Sequence, residues 1–169
     1  MVNVKAVFLD RDGVLNRNSG RSRYVRDWSE FVWIPGAIKA VAQLKQAGYT
    51  IILISNQAGV GSGQMKTEDL AEIEHHMQED LQRAGGAIDA AYYCLHRPDA
   101  GCECRKPKPG LLHQAQKDFA LSFPETCFIG DDLKDLQAGA VVGCPTYIVS
   151  ESMSILDIVE KHILRKKPA

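Results

Sequence analysis

The stretch "VKAVFLDRDGVLN", residues 4–16, decides the fold. A short, almost wholly apolar run breaks abruptly into Asp10-Arg11-Asp12-Gly13. β-Branched and aromatic residues without polar alternation mark a strand buried on both faces. Asp10 and Asp12 are two apart, so in extended backbone they point the same way. Two carboxylates converging at a strand end suit a hard divalent cation such as magnesium, which takes one or two carboxylates and keeps its own waters. Gly13 permits the turn that folds the backbone around such a site. A calcium loop is excluded, because position 14, where it needs a third oxygen ligand, is Val14.

The same pattern recurs along the chain in "YTIILI" (49–54), "IDAAYYC" (88–94), "TCFIG" (126–130) and "PTYIV" (145–149). Helical patterns lie between these runs. One starts near Pro35-Gly36, carries Ile38, Val41, Ala42 and Leu44, and stops at Gly48. A second starts at Thr67 and runs to about Ala84 before Gly85-Gly86; a third follows Pro109; others span about 133–141 and 153–164. Strand–helix alternation of this kind predicts an α/β, Rossmann-like parallel sheet with helices on both faces. No repeat, linker or long insertion interrupts it, so residues 1–169 are expected to form one domain without a separate cap.

Ligands of such sheets bind beyond the carboxyl ends of the strands. The second strand delivers Ser55, Asn56 and Gln57 there, and the fourth delivers Asp131 and Asp132. Each group alone reads as a turn or a helix cap. Three apolar strands that each present polar groups at one edge read as a site. "GVGSGQMKT" (59–67) imitates a phosphate loop, but Met65 stands where glycine should precede the lysine, so it reads as a loop bordering the site.

The formal net charge of −1 gives no electrostatic footprint for nucleic acid or an anionic membrane. No segment approaches the roughly 20 apolar residues of a membrane span, and the N-terminal run is too short for a signal peptide. A cytoplasmic monomer acting on a small molecule is the expectation. Five cysteines in such a chain argue for thiols and metal rather than disulfides. Cys94-x-His96-x5-Cys102-x-Cys104 offers three thiolates and an imidazole, the ligand set of a closed, structural zinc site at about 94–104. Arg105, Lys106 and Lys108 follow at once, stiffened by Pro107 and Pro109.

Asp10-x-Asp12-x-Val14-Leu15 resembles the opening motif of the haloacid dehalogenase superfamily phosphatases. Ser55, Lys106 and Gly130-Asp131-x-x-x-Asp135 match their second, third and fourth motifs in order, so the resemblance covers essentially the whole chain. It implies that Asp10 is the nucleophile and forms an aspartyl-phosphate, and that Asp12 is the acid and base. Ser55 and Lys106 would hold the transferring oxygens. Mg2+ would sit on the Asp10 carboxylate, the Asp12 backbone carbonyl and Asp131, with Asp135 in support nearby.

The cysteine pattern running into Arg105-Lys106-Pro107 resembles the zinc-bearing branch, which includes heptose bisphosphate phosphatases and histidinol phosphatases. "DRDGVLN", "YVRDWSEFVWIPGA", "ISNQAGVGSG" and "YYCLHRP" lean towards the heptose members. The implied reaction is removal of the 7-phosphate of D-glycero-D-manno-heptose 1,7-bisphosphate. Arg11, Asn16, Asn56, Gln57, Arg105, Asp132 and the segment around 23–25 would lie near substrate. Asp132 stands where that branch often has lysine, and the five-residue spacer after His96 is also like that of histidinol phosphatases. Histidinol-phosphate hydrolysis and a non-catalytic, zinc-stabilised phosphate-binding module are the alternatives.

Overall fold

The chain is described by a computed structural model covering residues 4–18 and 24–165. Five strands form one sheet: β1 (Ala6–Leu9), β2 (Thr50–Asn56), β3 (Ala90–Cys94), β4 (Cys127–Gly130) and β5 (Thr146–Ile148). Their spatial order is β3-β2-β1-β4-β5, and every pairing is parallel. The register aligns Leu9 with Leu53 and with Ile129, so the ends of the three central strands reach one edge together.

Period-two alternation explains why these strands read as unbroken apolar runs. Val7, Leu9, Ile51, Leu53 and Ile129 enter one core. There they meet α1 (Ala37–Gln46), α3 (Thr67–Arg83) and α6 (Ile155–Ile158), which continues as a π-turn over Val159–Ile163. Ala6, Phe8, Ile52, Ile54 and Phe128 enter the opposite core with α4 (Gly110–Phe119) and α5 (Leu133–Val142). Both faces are covered, as the sequence predicts for a parallel sheet. Among the described residues no inserted domain interrupts this layering, and no helix is long and apolar enough to cross a membrane.

Two boundaries differ from expectation. β2 extends through Asn56, because Ser55 and Asn56 pair with Tyr93 and Cys94 of β3. Ser55 and Asn56 are therefore held in the sheet rather than in the loop beyond it. The loop predicted over 57–66 contains a single turn of helix, α2 (Ala58–Gly61). Gly61 N–H donates to Leu95 C=O at 2.9 Å, and a Cβ at Gly61 would lie 2.3 Å from that oxygen. Only glycine lets α2 come so close to the segment that follows β3.

Candidate active site

β1 ends at Leu9, and Asp10 N–H still donates to Ile129 C=O of β4 at 3.0 Å. The chain then folds back tightly, with Leu15 N–H bonded to Arg11 C=O and Gly13 N–H to Asn16 C=O. Gly13 has φ +83°, and a Cβ there would sit 1.9 Å from Asp131 Oδ2. Both the turn and the space for Asp131 require glycine. The structure thus brings Asp10, Asp12 and Asp131 to one edge, as their positions in sequence suggest.

Lys106 comes to the same edge from the far side of the cysteine segment. It is 3% exposed, and its ammonium contacts Ile54 C=O at 2.8 Å, Asp135 Oδ1 at 2.6 Å and Asp10 Oδ2 at 3.0 Å. Three donors meet three acceptors, so the buried charge is fully paired. Burial alone would lower the lysine's pKa, but Asp10 and Asp135 outweigh it and raise it. Asn56 fixes the backbone: its Oδ1 accepts from Lys106 N–H at 3.0 Å and its Nδ2 donates to Lys106 C=O at 3.1 Å.

Asp135 is more deeply engaged than a supporting role at the metal suggests. Besides Lys106, it accepts from the backbone N–H groups of Asp131 and Asp132 at 3.1 and 3.2 Å, and it is 1% exposed. It organises the turn between β4 and α5. Oxygens of Asp10, Asp131 and Asp135 lie within 4.8 Å of one another.

The electrostatics of this cluster fit a divalent cation. Burial, partly offset by Lys106 and reinforced by the neighbouring carboxylates, pushes Asp10 up to about 7. Burial and Asp135 raise Asp131 to about 6, against an Asn18 hydrogen bond and Lys106. Two carboxylates that resist ionisation side by side are what a metal ion neutralises.

Asp12 has the opposite environment. Arg11 Nη2 (3.0 Å) and Asn16 Nδ2 (2.8 Å) both donate to Oδ1, and Gln57 Nε2 donates to Oδ2 at 2.8 Å. Burial opposes its charge, yet Arg11 and the donated bonds win and hold it below the usual carboxylate range.

The residues expected near substrate are placed as follows. Arg11 and Asn16 are 0% exposed and Gln57 is 1% exposed. Arg11 Nη2, Asn16 Nδ2 and Gln57 Nε2 all face Asp12. Arg11 Nε and Nη1 have no partner among the described residues, which leaves Asp12 as its counter-charge. Asn56 is committed to Lys106. Asp132 is exposed, but its carboxylate caps α5 by accepting from Lys134 N–H at 2.9 Å. Arg105 is half-buried, with its Nη1 shielded from solvent. Val25 packs in the core instead of facing a ligand, and Arg23 lies outside the described residues.

The cysteine segment forms a second cluster. Cys94, at the end of β3, is fully buried, while His96, Cys102 and Cys104 stand nearer the surface. Cys94 Sγ lies 3.6 Å from His96 Nδ1, 3.6 Å from Cys102 Sγ and 3.0 Å from Cys104 Sγ; His96 Nδ1 is 3.1 Å from Cys104 Sγ. The sulfurs are too far apart for a disulfide, whose bond is about 2.05 Å. The four donor atoms lie within 4.8 Å of one another, a set that could hold a metal ion such as zinc. Burial opposes ionisation of Cys102, but hydrogen bonds from Cys104, the Arg105 backbone and Cys94 bring it down to about 6. Cys127 and Cys144 stay apart from this cluster, as their strand positions suggest.

A parallel sheet that carries an aspartate pair, a serine, a buried lysine and a fourth acidic turn on one edge defines a phosphatase of the haloacid dehalogenase type. The profile of the polynucleotide kinase 3 phosphatase family matches residues 5–139. The D-glycero-beta-D-manno-heptose-1,7-bisphosphate 7-phosphatase of Bordetella bronchiseptica is 38% identical over 146 residues, covering 86% of this chain and 80% of that protein. The Pseudomonas aeruginosa enzyme of the same name is 36% identical over 149 residues, covering 88% and 83%. The crystal structure of the B. bronchiseptica D,D-heptose 1,7-bisphosphate phosphatase, complexed with magnesium and phosphate, superposes with a TM-score of 0.83 over 86% of this chain and 80% of that one. The chain belongs to this family of haloacid dehalogenase-type phosphatases, hydrolases of phosphoric monoesters.

Proposed function

We propose that this phosphatase removes the 7-phosphate of D-glycero-β-D-manno-heptose 1,7-bisphosphate through an aspartyl-phosphate on Asp10. The observation that carries the mechanism is the contact of Asp10 Oδ2 with Lys106 Nζ at 3.0 Å, beside Asp131 and beyond the end of β1. The substrate rests on the relatives, whose identity extends over most of the chain.

Asp10 Oδ1 accepts from Arg11 N–H at 2.7 Å, which leaves Oδ2, held by Lys106, to attack phosphorus. Lys106 and Ser55 would then hold the equatorial oxygens as charge spreads over them. Asp12, a carboxylate in the free protein, would take a proton from the entering phosphate monoester, pass it to the leaving sugar oxygen, and take another from the water that releases phosphate. Asp10, Asp131 and the Asp12 backbone carbonyl would hold Mg2+. When bound, it supplies the positive charge that lets an anionic nucleophile approach a phosphate dianion.

Cys94, His96, Cys102 and Cys104 would hold Zn2+, which would serve the loop's structure rather than the reaction. Arg105 and the half-exposed loops 57–66 and 95–105 would meet the rest of the sugar phosphate. A single domain acting as a cytoplasmic monomer completes this reading.

The test is phosphate release with magnesium from the α and β heptose bisphosphates and from histidinol phosphate. The expected result is highest kcat/KM on the β anomer, with release from C7. Preference for histidinol phosphate overturns the substrate. Release from none of them, by a folded and metal-loaded protein, favours the binding module.

A further inference from the structure

Gln57 is placed where it can orient two reacting groups at once. Its side-chain amide carries two hydrogens, and the structure directs them to two different reacting groups. One goes to Asp12 Oδ2 at 2.8 Å and the other to Ser55 Oγ at 3.0 Å. Gln57 and Ser55 are each 1% exposed, so neither bond competes with solvent. The orientation of the amide follows from the partners, since a carboxylate accepts only from the nitrogen end.

Each bond has a chemical consequence. Asp12 Oδ1 already accepts from Arg11 and from Asn16, whereas among the described residues Oδ2 accepts from Gln57 alone. Oδ2 is therefore the oxygen with a lone pair left for proton transfer, and Gln57 sets its direction. Ser55 Oγ accepts from Gln57, so its own O–H must donate elsewhere. The Ser55 hydrogen is thereby left for an acceptor other than Gln57, such as a phosphoryl oxygen. The Gln57 backbone is fixed independently, by its N–H donating to Cys94 C=O at 2.8 Å at the end of β3.

We propose that Gln57 is a positioning residue that sets the proton-transferring oxygen of Asp12 and the donor direction of Ser55 relative to each other. The proposal rests on the phosphatase reading above. It predicts a defect in the step that expels the leaving group. Hydrolysis of an alkyl phosphate needs a proton delivered to the departing oxygen, whereas p-nitrophenolate departs without one.

The experiment compares wild type, Gln57→Leu and Gln57→Glu, all loaded with metal, on a primary alkyl sugar phosphate and on p-nitrophenyl phosphate. Circular dichroism and thermal melting accompany the kinetics. General acid catalysis contributes about 10²- to 10⁴-fold. Loss of aim at Asp12 should therefore lower kcat on the sugar phosphate by on the order of tenfold or more. KM should stay within a few fold, and the loss on p-nitrophenyl phosphate should be clearly smaller. Gln57→Glu keeps the shape but cannot donate as a carboxylate, so it should show the same leaving-group signature. Equal losses on both substrates, a change confined to KM, or full activity in either folded variant overturns the proposal. If Gln57→Leu does not fold, Gln57→Glu decides by the same criteria. A wild type that hydrolyses neither compound refutes the phosphatase reading instead, and so the two failures are distinguishable.

Discussion

Two ligand clusters stand at the same edge of the sheet and are built from opposite chemistry. Asp10, Asp131 and Asp135 gather hard oxygen donors behind a buried lysine; Cys94, His96, Cys102 and Cys104 gather soft donors nearer the surface. The acidic cluster keeps its carboxylates hard to ionise, with Asp10 pushed up to about 7 and Asp131 to about 6. The thiol cluster brings four donors within 4.8 Å of one another. One arrangement suits turnover and the other suits shape. They meet at Lys106, two residues beyond Cys104, which is tied back to β2 through Asn56.

That contrast can be broken in three ways. Asp10→Asn should abolish phosphate release, with a loss on the order of 10⁶-fold as for deletion of a serine-protease nucleophile. The fold should persist or gain stability, because a desolvated carboxylate has been removed. A steady-state assay and a melting curve check this together, and retained turnover would remove Asp10 from the mechanism.

Cys102→Ser should act more weakly and in both properties at once. Zinc content measured by mass spectrometry should fall, the melting temperature should drop, and kcat should fall by about ten- to a hundredfold. A variant with no zinc but full kcat and KM would show that the cage and Lys106 are merely adjacent.

The smallest effect concerns pH. Asp10 and Asp131 are raised above their ordinary values, so the metal-free protein holds protons near neutrality that Mg2+ must displace. Magnesium affinity should therefore weaken as pH falls through 7 and then 6, by about tenfold per unit for each proton displaced. Calorimetry in buffers of different ionisation enthalpy would detect the released protons. The stability of the metal-free fold should move the other way. Between the unfolded value of 3.8 and about 7 the folded chain binds more protons than the unfolded one, so it gains stability as pH falls.

The sequence made the scaffold readable because both faces of the sheet are buried. A strand such as Ala6–Leu9 then has no polar position to confuse the pattern. Groups that end a strand, such as Asp10 and Asp131, were legible for the same reason: polarity appears abruptly where burial stops. What stayed hidden were contacts between distant parts of the chain. Arg11 reads as a cation waiting for an anionic ligand, yet it is fully buried against Asp12. Gln57 reads as a loop amide, but it reaches back 45 residues to the same carboxylate. Asp135 lies four residues past Asp131, and only the α5 turn shows that it accepts from Lys106 and two backbone N–H groups. Polar side chains carry no periodic signal, so their partners emerge only with the tertiary structure.

Residues 97–101 have a further consequence. All five are exposed, and they are bracketed by His96 and Cys102, whose donor atoms belong to one cage. Whatever happens between those two points is mechanically insulated from β3 on one side and from Lys106 on the other. The segment is thus a cassette: its length and composition can drift, or be replaced by design, while the chemistry beneath it keeps its geometry. Such a cassette gives selection a stretch of surface to reshape without touching Lys106.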